Sequence, residues 1–264
     1  MRIDIHNHTT LCNHATGTTQ EYIERAIELG IDVFGFSEHA PMHFDEHYRL
    51  KLEDKLLYEN DVKFLKEKYK KDIEILLGYE VDYLKGDYIL PEVVNSELDY
   101  LIGSVHFLMQ NGDNWGFDNP EFIGEYKNKD IDKVWEDYFE AIKQMAKTNL
   151  FDIVGHLDLM KVFKYLPKKD IKLLALDSLK EIKKANMVVE INAAGYRKPI
   201  AEQYPSRELL ELCFDLDIPI TFSSDAHSVE QVGFQYEKTS SLAKEIGYTE
   251  CIYFKQKEKI KVKF

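Results

Sequence analysis

Short apolar runs alternate with longer amphipathic segments along the 264 residues of the chain. Runs such as "DIVGH" and "VVEIN" are apolar at nearly every position, which is typical of parallel strands buried on both faces. The pattern predicts seven strands, which lie at Arg2–His6, Asp32–Ser37, Ile73–Glu80, Tyr100–His106, Asp152–His156, Val188–Asn192 and Pro219–Ser224.

Helical periodicity appears between these strands. The segment Thr18–Gly30 begins on a threonine, which is a good helix cap, and ends on glycine. Strands that alternate with helices predict an α/β fold with a parallel sheet closed into a barrel, as one domain over residues 1–264, and a doubly wound open sheet is the alternative. The other predicted helices are Glu53–Lys71, Asp132–Thr148, Asp170–Ala185 and Ser206–Asp217.

Two further segments carry weaker patterns. Gln110–Pro120 is rich in glycine and asparagine and is interpreted as a long loop after a strand, where barrels keep their active-site loops. The final segment, Cys251–Phe264, alternates between apolar and basic residues and is interpreted as an edge strand or a peripheral tail.

Composition narrows the class of protein. The formal net charge of −13 argues against nucleic-acid and anionic-membrane surfaces as partners, but a bound metal would still let the protein accept an anionic small molecule. Three widely spaced cysteines without a CxxC pair indicate a reducing compartment without a disulfide framework. No apolar run reaches the roughly 18 residues of a membrane span, and a strand begins at once, so we expect a cytoplasmic protein.

The first strand carries an unusual pair of histidines, His6 and His8. Side chains at positions i and i+2 of a strand share one face, so the two imidazoles could bind one metal ion. An isolated HxH is more often a pair of satisfied core histidines, and the remaining histidines must decide between these readings.

Most of the nine histidines fall at or just beyond the carboxyl ends of predicted strands, the rim where β/α barrels carry their chemistry. Packing gives core histidines no reason to share that edge. Two carboxylates, Glu80 and Asp225, lie at the same rim. The resulting set of candidate metal ligands is His6, His8, His14, His39, Glu80, His106, His156, Asp225 and His227.

Nine ligands exceed the needs of one catalytic ion, which typically takes three protein ligands and water. Two to three divalent ions sharing a carboxylate fit better, and the excess of imidazole favours zinc, manganese or iron over magnesium or calcium. Such a centre would be strongly positive because it has only two carboxylate ligands. It would bind phosphate oxygens and lower the pKa of bridging water, so we expect metal-assisted phosphoester hydrolysis.

The ordered motifs HxH, "SEH", "GYE", "SVH", "GHLD" and "SDAH" resemble the PHP (polymerase and histidinol phosphatase) superfamily. Within it, "NAAGYRKPIAEQYPS" and "GHLDLMKVF" resemble the monofunctional histidinol-phosphate phosphatases. The resemblance covers nearly the whole chain and implies a distorted (β/α)7 TIM-like barrel with three metal ions at its rim. It implies the ligand sets His6, His8, Glu80 and Asp225 for the first ion, Glu80, His106 and His156 for the second, and His14, His39 and His227 for the third.

Basic residues near the sixth strand are candidates for binding phosphate. Arg197 could clamp a phosphate dianion with two parallel hydrogen bonds, and the resemblance supports this role. Lys198 and Lys161 are weaker candidates, since lysine supplies charge without the guanidinium fork. Glu202 is a candidate for the ammonium group of a substrate, and Tyr204 for shaping the pocket.

Several other polar residues lie near the rim. Asp4, Glu38 and Asp158 lie close to ligand histidines and could orient them through hydrogen bonds, with ordinary loop contacts as the alternative. His43 and His47 are interpreted as solvent-exposed loop residues.

The combined expectation is a metal-dependent phosphatase that converts L-histidinol phosphate to L-histidinol, with Glu80, Asp225 and Arg197 as catalytic residues. The alternatives are hydrolysis of another phosphoester, such as a nucleotide, sugar phosphate or phosphotyrosine, an amidohydrolase-type reaction, and a metal-binding module without activity. The sequence carries no prediction about the oligomeric state.

Overall fold

The computed structural model describes residues 1–86, 88–110 and 113–264. Seven parallel strands form one sheet, and the neighbours along the chain pair in sequence order. All seven predicted strands are therefore confirmed, with ends that differ by a few residues. The sheet consists of β1 (Ile3–Asp4), β2 (Val33–His39), β3 (Glu74–Asp82), β4 (Tyr100–Ser104), β7 (Ile153–Val154), β8 (Val188–Asn192) and β9 (Ile220–Ser223).

The sheet curves into a nearly closed barrel, so the open-sheet alternative is wrong. The amide of Ile5 donates to the carbonyl of Phe222 at 3.3 Å, and Asn7 forms a parallel bridge with Ala226, which joins the first and last strands. Tyr100 lies among the strands, where its hydroxyl donates to the carbonyl of Ile5 at 2.7 Å. A Cβ at Gly35 would lie 2.3 Å from that hydroxyl oxygen, so glycine makes room for the ring.

Helices lie between consecutive strands. The first one begins with a capping box, in which the Thr18 side chain accepts from the amide of Glu21 and the Glu21 side chain accepts from the amide of Thr18. The five predicted helices are present as α1 (Thr19–Glu28), α2 (Lys55–Lys68), α4 (Ile131–Lys147), α5 (Ile171–Lys184) and α6 (Arg207–Asp215).

Two helices were not predicted. The short α3 (Pro91–Val94) is one turn long, and α7 (Tyr236–Ile246) carries a Thr-Ser-Ser run whose low helical propensity hides it. None of the helices in the described part of the chain is long and apolar enough to cross a membrane.

The interpretation of Gln110–Pro120 as a loop is wrong in part. An antiparallel hairpin of β5 (Phe107–Gln110) and β6 (Asp113–Gly116) occupies its start, and an irregular 3-10 segment follows. Asn111 and Gly112 lie outside the described residues. The alternation of "FLMQ" and "DNWG" is too short to be separated from a loop by periodicity.

The carboxyl-terminal segment also forms an antiparallel hairpin, of β10 (Glu250–Lys255) and β11 (Glu258–Lys263). Ile252 and Phe254, which share one face of β10, are buried in the cluster that contains strand residues of the barrel. The amide of Lys257 donates to the carbonyl of Asp99, just before β4, at 2.9 Å. The hairpin therefore covers the amino-terminal end of the barrel, and the opposite end stays open.

Candidate metal centre

The Glu80 carboxylate, at the carboxyl end of β3, lies at the centre of the candidate site. Its Oε2 atom is 3.4 Å from His6 Nε2, 3.7 Å from His8 Nε2 and 2.9 Å from His39 Nδ1. His39 and Glu80 are paired residues in the β2–β3 register, so the sheet itself places them side by side. One carboxylate oxygen thus faces three imidazoles from two other strands and loops.

The second oxygen of Glu80 faces the other side of the barrel. Glu80 Oε1 lies 2.9 Å from His156 Nε2 and 3.7 Å from His106 Nε2. The donor atoms of Glu80, His106 and His156 all lie within 4.8 Å of one another. The carboxylate therefore bridges two groups of histidines.

Asp225 lies beyond β9 and faces the first group. Its Oδ1 atom is 3.3 Å from His8 Nε2 and 3.5 Å from His227 Nδ1. The donor atoms of His6, His8 and Asp225 lie within 4.8 Å of one another. Asp225 therefore links the histidines of the first strand to those of the last loop.

The third predicted ligand set does not form one group. His39 and His227 lie with His8, whereas His14 and His227 lie with Cys12, in each case with donor atoms within 4.8 Å. His14 and His39 are still neighbours, because their ring centroids are 5.2 Å apart. The sequence interpretation left Cys12 out of the site, and its buried thiol lies at the edge of this third group.

Carboxylates behind the histidines hold the rings in place. His6 Nδ1 lies 2.6 Å from Glu190 Oε1, His8 Nδ1 lies 3.4 Å from Glu38 Oε1, and His106 Nδ1 bonds to Asp82. Such contacts fix which ring nitrogen faces a metal.

Two of these carboxylates escaped sequence reasoning, although a signal for each was present. Glu190 is the one charged residue in the otherwise apolar strand "VVEIN", and Asp82 shares a strand face with Glu80. Glu38 contacts His8 at 3.4 Å and can orient its ring, as predicted.

The same role for Asp4 and Asp158 is wrong. Asp4 accepts hydrogen bonds from the amide and hydroxyl of Ser224 and from the amide of Gly233, so it ties the last loop to β1. Asp158 accepts from the amide of Ser206 at 2.8 Å and pairs with Lys161 at 3.0 Å. The hydrogen bonds that these two carboxylates make are to loop groups and to Lys161 rather than to an imidazole, and Asp158 Oδ1 has no partner among the described residues.

Backbone geometry at two site residues is unusual. His156 has φ of 23° and Asp225 has φ of 52°, in the left-handed region that residues with a Cβ rarely adopt. Such conformations persist where the surrounding structure fixes them, and they concentrate at functional sites. Both residues turn their side chains into the site at the point where a strand ends.

Charge coupling dominates the protonation of the site. Burial alone would raise the pKa of the Glu80 carboxyl, but His6, His39 and His106 hold it well below its usual value. Burial opposes protonation of His106, yet Asp82 and Glu80 raise the pKa of its imidazole to about 10. Burial and a neighbouring imidazole lower the pKa of His39 to about 4. Adjacent groups therefore compete for protons, and a divalent cation would replace these protons because it binds neutral imidazole.

The donor set fits divalent transition metals. The Nε2 atoms of His6 and His8 are buried and have no hydrogen-bond partner among the described residues. Buried polar atoms are almost always satisfied, so two unpaired nitrogens beside one carboxylate indicate a missing electrophile. Imidazole and carboxylate are the ligands that zinc, manganese and iron accept.

A cavity of about 660 Å³ opens onto these residues. Arg197 lines it, and its Nη2 atom donates to the carbonyls of Ser224 and Asp225 at 2.9 and 2.8 Å. Its Nη1 atom is buried and has no partner among the described residues. One arm of the guanidinium is thus fixed by the protein, whereas the other, in a residue that lines the cavity, has no partner in the described part of the chain.

Two of the predicted substrate contacts do not face this cavity. Lys161 is 3% exposed, and its ammonium contacts Asp158, Glu202 and the carbonyl of Gln203 at 3.0, 2.9 and 2.7 Å. Neither Lys161 nor Glu202 is among the residues that line the cavity. A phosphate role for Lys161 and an ammonium-binding role for Glu202 are therefore unsupported, because the two side chains neutralise each other.

Other residues of the cavity wall agree with the sequence or extend it. Lys198 and Tyr204 line the cavity, as predicted, and so does Asp118, which sequence reasoning did not single out. His43 and His47 are exposed and lie outside the cavity wall, as interpreted.

The nearly closed parallel barrel carries clusters of histidine and carboxylate side chains at its mouth, which defines the protein as a metal-binding barrel. Comparison with known proteins identifies the family within this class. The PHP domain family matches residues 4–194, so the chain belongs to that family. A probable histidinol-phosphatase from Deinococcus radiodurans is 36% identical over 248 residues, which cover 92% of this chain and 93% of that protein.

Two solved structures resemble the fold closely. A candidate histidinol phosphatase from Listeria monocytogenes gives a TM-score of 0.82 at 28% identity, covering 90% of this chain and 99% of that one. Histidinol phosphate phosphatase from Lactococcus lactis, complexed with zinc, L-histidinol and phosphate, gives a TM-score of 0.78 at 21% identity and covers 98% of both chains.

Proposed function

We propose that this protein hydrolyses L-histidinol phosphate to L-histidinol and inorganic phosphate, with the help of two to three divalent transition-metal ions. The observation that carries the proposal is the placement of Arg197 Nη1, unpaired and buried, in the wall of the cavity onto which the Glu80 cluster opens. A cavity with bound cations on one side and a guanidinium on another suits a phosphate dianion.

The residues present would hold the ions in overlapping groups. His6, His8, Asp225 and Glu80 would bind one ion, and Glu80, His106 and His156 a second. For a third ion, the proposed ligands are His14, His39 and His227, of which His227 is shared by two neighbouring groups, one with His8 and His39 and one with Cys12 and His14. Zinc, manganese or iron in these positions would act as a Lewis acid towards phosphoryl oxygens and would lower the pKa of water.

The protein's own residues orient the substrate. Arg197 would donate through Nη1 to a phosphoryl oxygen while its Nη2 holds the backbone of the Asp225 loop. Lys198, which is exposed in the cavity wall, would add positive charge on the same side. Asp118 lies in the wall as well and would favour the cationic end of an amino-alcohol phosphate.

The site includes residues beyond the family match. That match ends at residue 194, and both Asp225 and His227 lie after it. We therefore propose that residues 1–264 form one catalytic domain.

The substrate assignment rests on the relatives, whose names specify histidinol phosphate, together with the phosphate-binding chemistry of the cavity. The test is phosphate release by the purified protein, reconstituted with zinc or manganese, from histidinol phosphate and from a panel of nucleotides, sugar phosphates and phosphotyrosine. We expect much faster release from histidinol phosphate and loss of activity after chelation. Equally slow release from every phosphoester would overturn the substrate, and full activity after chelation would overturn the role of the metals.

A further inference from the structure

Tyr204 has an unusual environment in the cavity wall. The residue is 1% exposed, it lines the cavity, and its hydroxyl oxygen has no hydrogen-bond partner among the described residues. A buried tyrosine hydroxyl usually finds a partner, since leaving one unpaired destabilises the folded state. An unpaired hydroxyl in the wall of a candidate active site indicates that the partner is a ligand.

The position of the ring is well defined by its surroundings. The amide of Asn192 donates to the carbonyl of Tyr204 at 2.7 Å, and the amide of Tyr204 donates back at 2.9 Å. The Lys161 ammonium lies 5.3 Å from the ring centroid. The ring of His156, a candidate metal ligand, packs edge-on at 6.4 Å. A side chain held in this way can present its hydroxyl without reorganising.

Most of the charged groups that act on Tyr204 belong to the same site. Asp158, which has the largest electrostatic effect, lies outside the cavity wall, whereas Asp118, Asp225 and Arg197 all line the cavity. A tyrosine hydroxyl is protonated at neutral pH, so it is an O–H donor. Two unpaired donors, this hydroxyl and Arg197 Nη1, therefore occur in one wall.

Hydrolysis of an alkyl phosphate needs a proton donor at the leaving oxygen, because an alkoxide is a poor leaving group. The residues assigned to the metals and to the phosphoryl group leave this role unfilled. Arg197 cannot fill it, because arginine stays protonated in proteins and can donate a hydrogen bond but not a proton.

We propose that Tyr204 protonates the leaving oxygen of the substrate, an inference that rests on the proposed phosphoester hydrolysis. A water oxygen forms a new bond to phosphorus as the ester P–O bond breaks, and the electron pair of the broken bond goes to the departing oxygen, which takes the proton of the Tyr204 hydroxyl. The proton that the attacking water loses returns to the tyrosinate through cavity water, so that ester and water yield alcohol and phosphate.

The test compares two leaving groups in the metal-loaded protein, with wild type and Tyr204→Phe measured in single turnover. Histidinol phosphate releases a poor alkoxide leaving group, whereas 4-nitrophenyl phosphate releases a phenolate that needs no proton. We expect the variant to lose on the order of 100-fold or more on the alkyl ester, in the range of general acid catalysis, and to change little on the aryl ester.

Tyr196→Phe is the matched control. Tyr196 lies in the same loop, but its hydroxyl donates to Gln203 Oε1 at 2.6 Å and it does not line the cavity. We expect this control to leave the ratio of the two rates unchanged. Tyr204→Phe removes only an unpaired oxygen, so its thermal midpoint should equal or exceed that of the wild type.

An equal loss on both esters would show a contact to the phosphoryl group and would overturn the proposal, as would no loss on either. A loss on both together with a lower thermal midpoint would show a structural role and would also overturn it. If the wild type cleaves other alkyl phosphates but not histidinol phosphate, the proposed substrate fails, and the same comparison on the best alkyl ester still decides the role of Tyr204.

Discussion

The two ends of the barrel use buried carboxylates in opposite ways. At the mouth, Glu80 faces five imidazoles, and three of their nitrogens have no hydrogen-bond partner among the described residues. At the floor, which is the amino-terminal end of the barrel, Asp99 accepts from the amides of Leu77 and Gln256 at 2.8 and 3.1 Å and pairs with Lys66 at 2.6 Å. The protein itself supplies the hydrogen-bond partners of the carboxylate at the floor, whereas the mouth has unpaired groups that can bind a ligand.

A second carboxylate at the floor also has its partners within the chain. Asp152, just before β7, accepts from the amide of Leu101 and from the ammonium of Lys257, both at 2.7 Å. Carboxylates whose partners all lie within the chain stabilise the fold, whereas polar groups without such partners can form a binding site. In parallel barrels the amino-terminal face serves stability and the carboxyl-terminal face serves chemistry, and this chain follows that division.

The largest effect should come from Glu80→Gln at the mouth. Because this one carboxylate faces both groups of histidines, the neutral amide would weaken binding of more than one ion. We expect kcat/KM to fall by more than about 100-fold, above the range typical of residues that only orient ligands. Metal content after dialysis should fall in parallel. Full metal content with full activity would contradict the bridging role.

Glu190→Gln should have a smaller effect at the same end. The amide cannot match the charged contact to His6 Nδ1, but His6 itself remains. We expect metal affinity to drop by about 10–100-fold, measured by competition with a chelator. Excess metal should restore most of the activity, and a failure of excess metal to do so would argue for a role beyond holding His6.

Arg197→Met tests the phosphate-binding wall. A hydrogen bond to a charged group contributes about 1.5–3 kcal/mol, so kcat/KM should fall by roughly 10–100-fold, mainly through KM. Arg197→Lys should recover only part of this loss, because an ammonium cannot hold the loop carbonyls and an oxyanion with one rigid fork. An unchanged inhibition constant for inorganic phosphate in both variants would rule out the contact.

Asp99→Ala should reverse the pattern, since it affects the fold and spares the chemistry. Each buried amide left without its acceptor destabilises the protein by about 1–3 kcal/mol, and 1 kcal/mol shifts Tm by roughly 2–4 °C in proteins of about this size. We expect a lower Tm with an unchanged kcat of the folded, metal-loaded protein. A selective loss of kcat at full stability would break the division between floor and mouth.

The positions of site residues at strand ends could be predicted from the sequence. The contact partners of individual side chains could not, because they depend on residues that are distant in the chain. His39 and Glu80 could be placed together because parallel strands end at one rim, and the register pairs them directly. The contacts of Lys161 could not be predicted because the sequence alone does not show that Glu202, 41 residues later, returns to meet it. Glu190 was overlooked because a single charge in an apolar strand looks like an exception until its partner, His6, is known.

The smallest effect should come from His43→Ala, which removes an imidazole of the mouth region that does not line the cavity. Exposed substitutions away from special features usually change stability by less than about 0.5 kcal/mol, and we expect kcat/KM to stay within about twofold of the wild type. The matched variant is His14→Ala, which removes a cavity-lining imidazole whose ring centroid lies 4.7 Å from that of His227. If both variants lost activity equally, the position of the imidazole in the cavity wall would not matter. The distinction between the metal site and the surrounding surface would then be wrong.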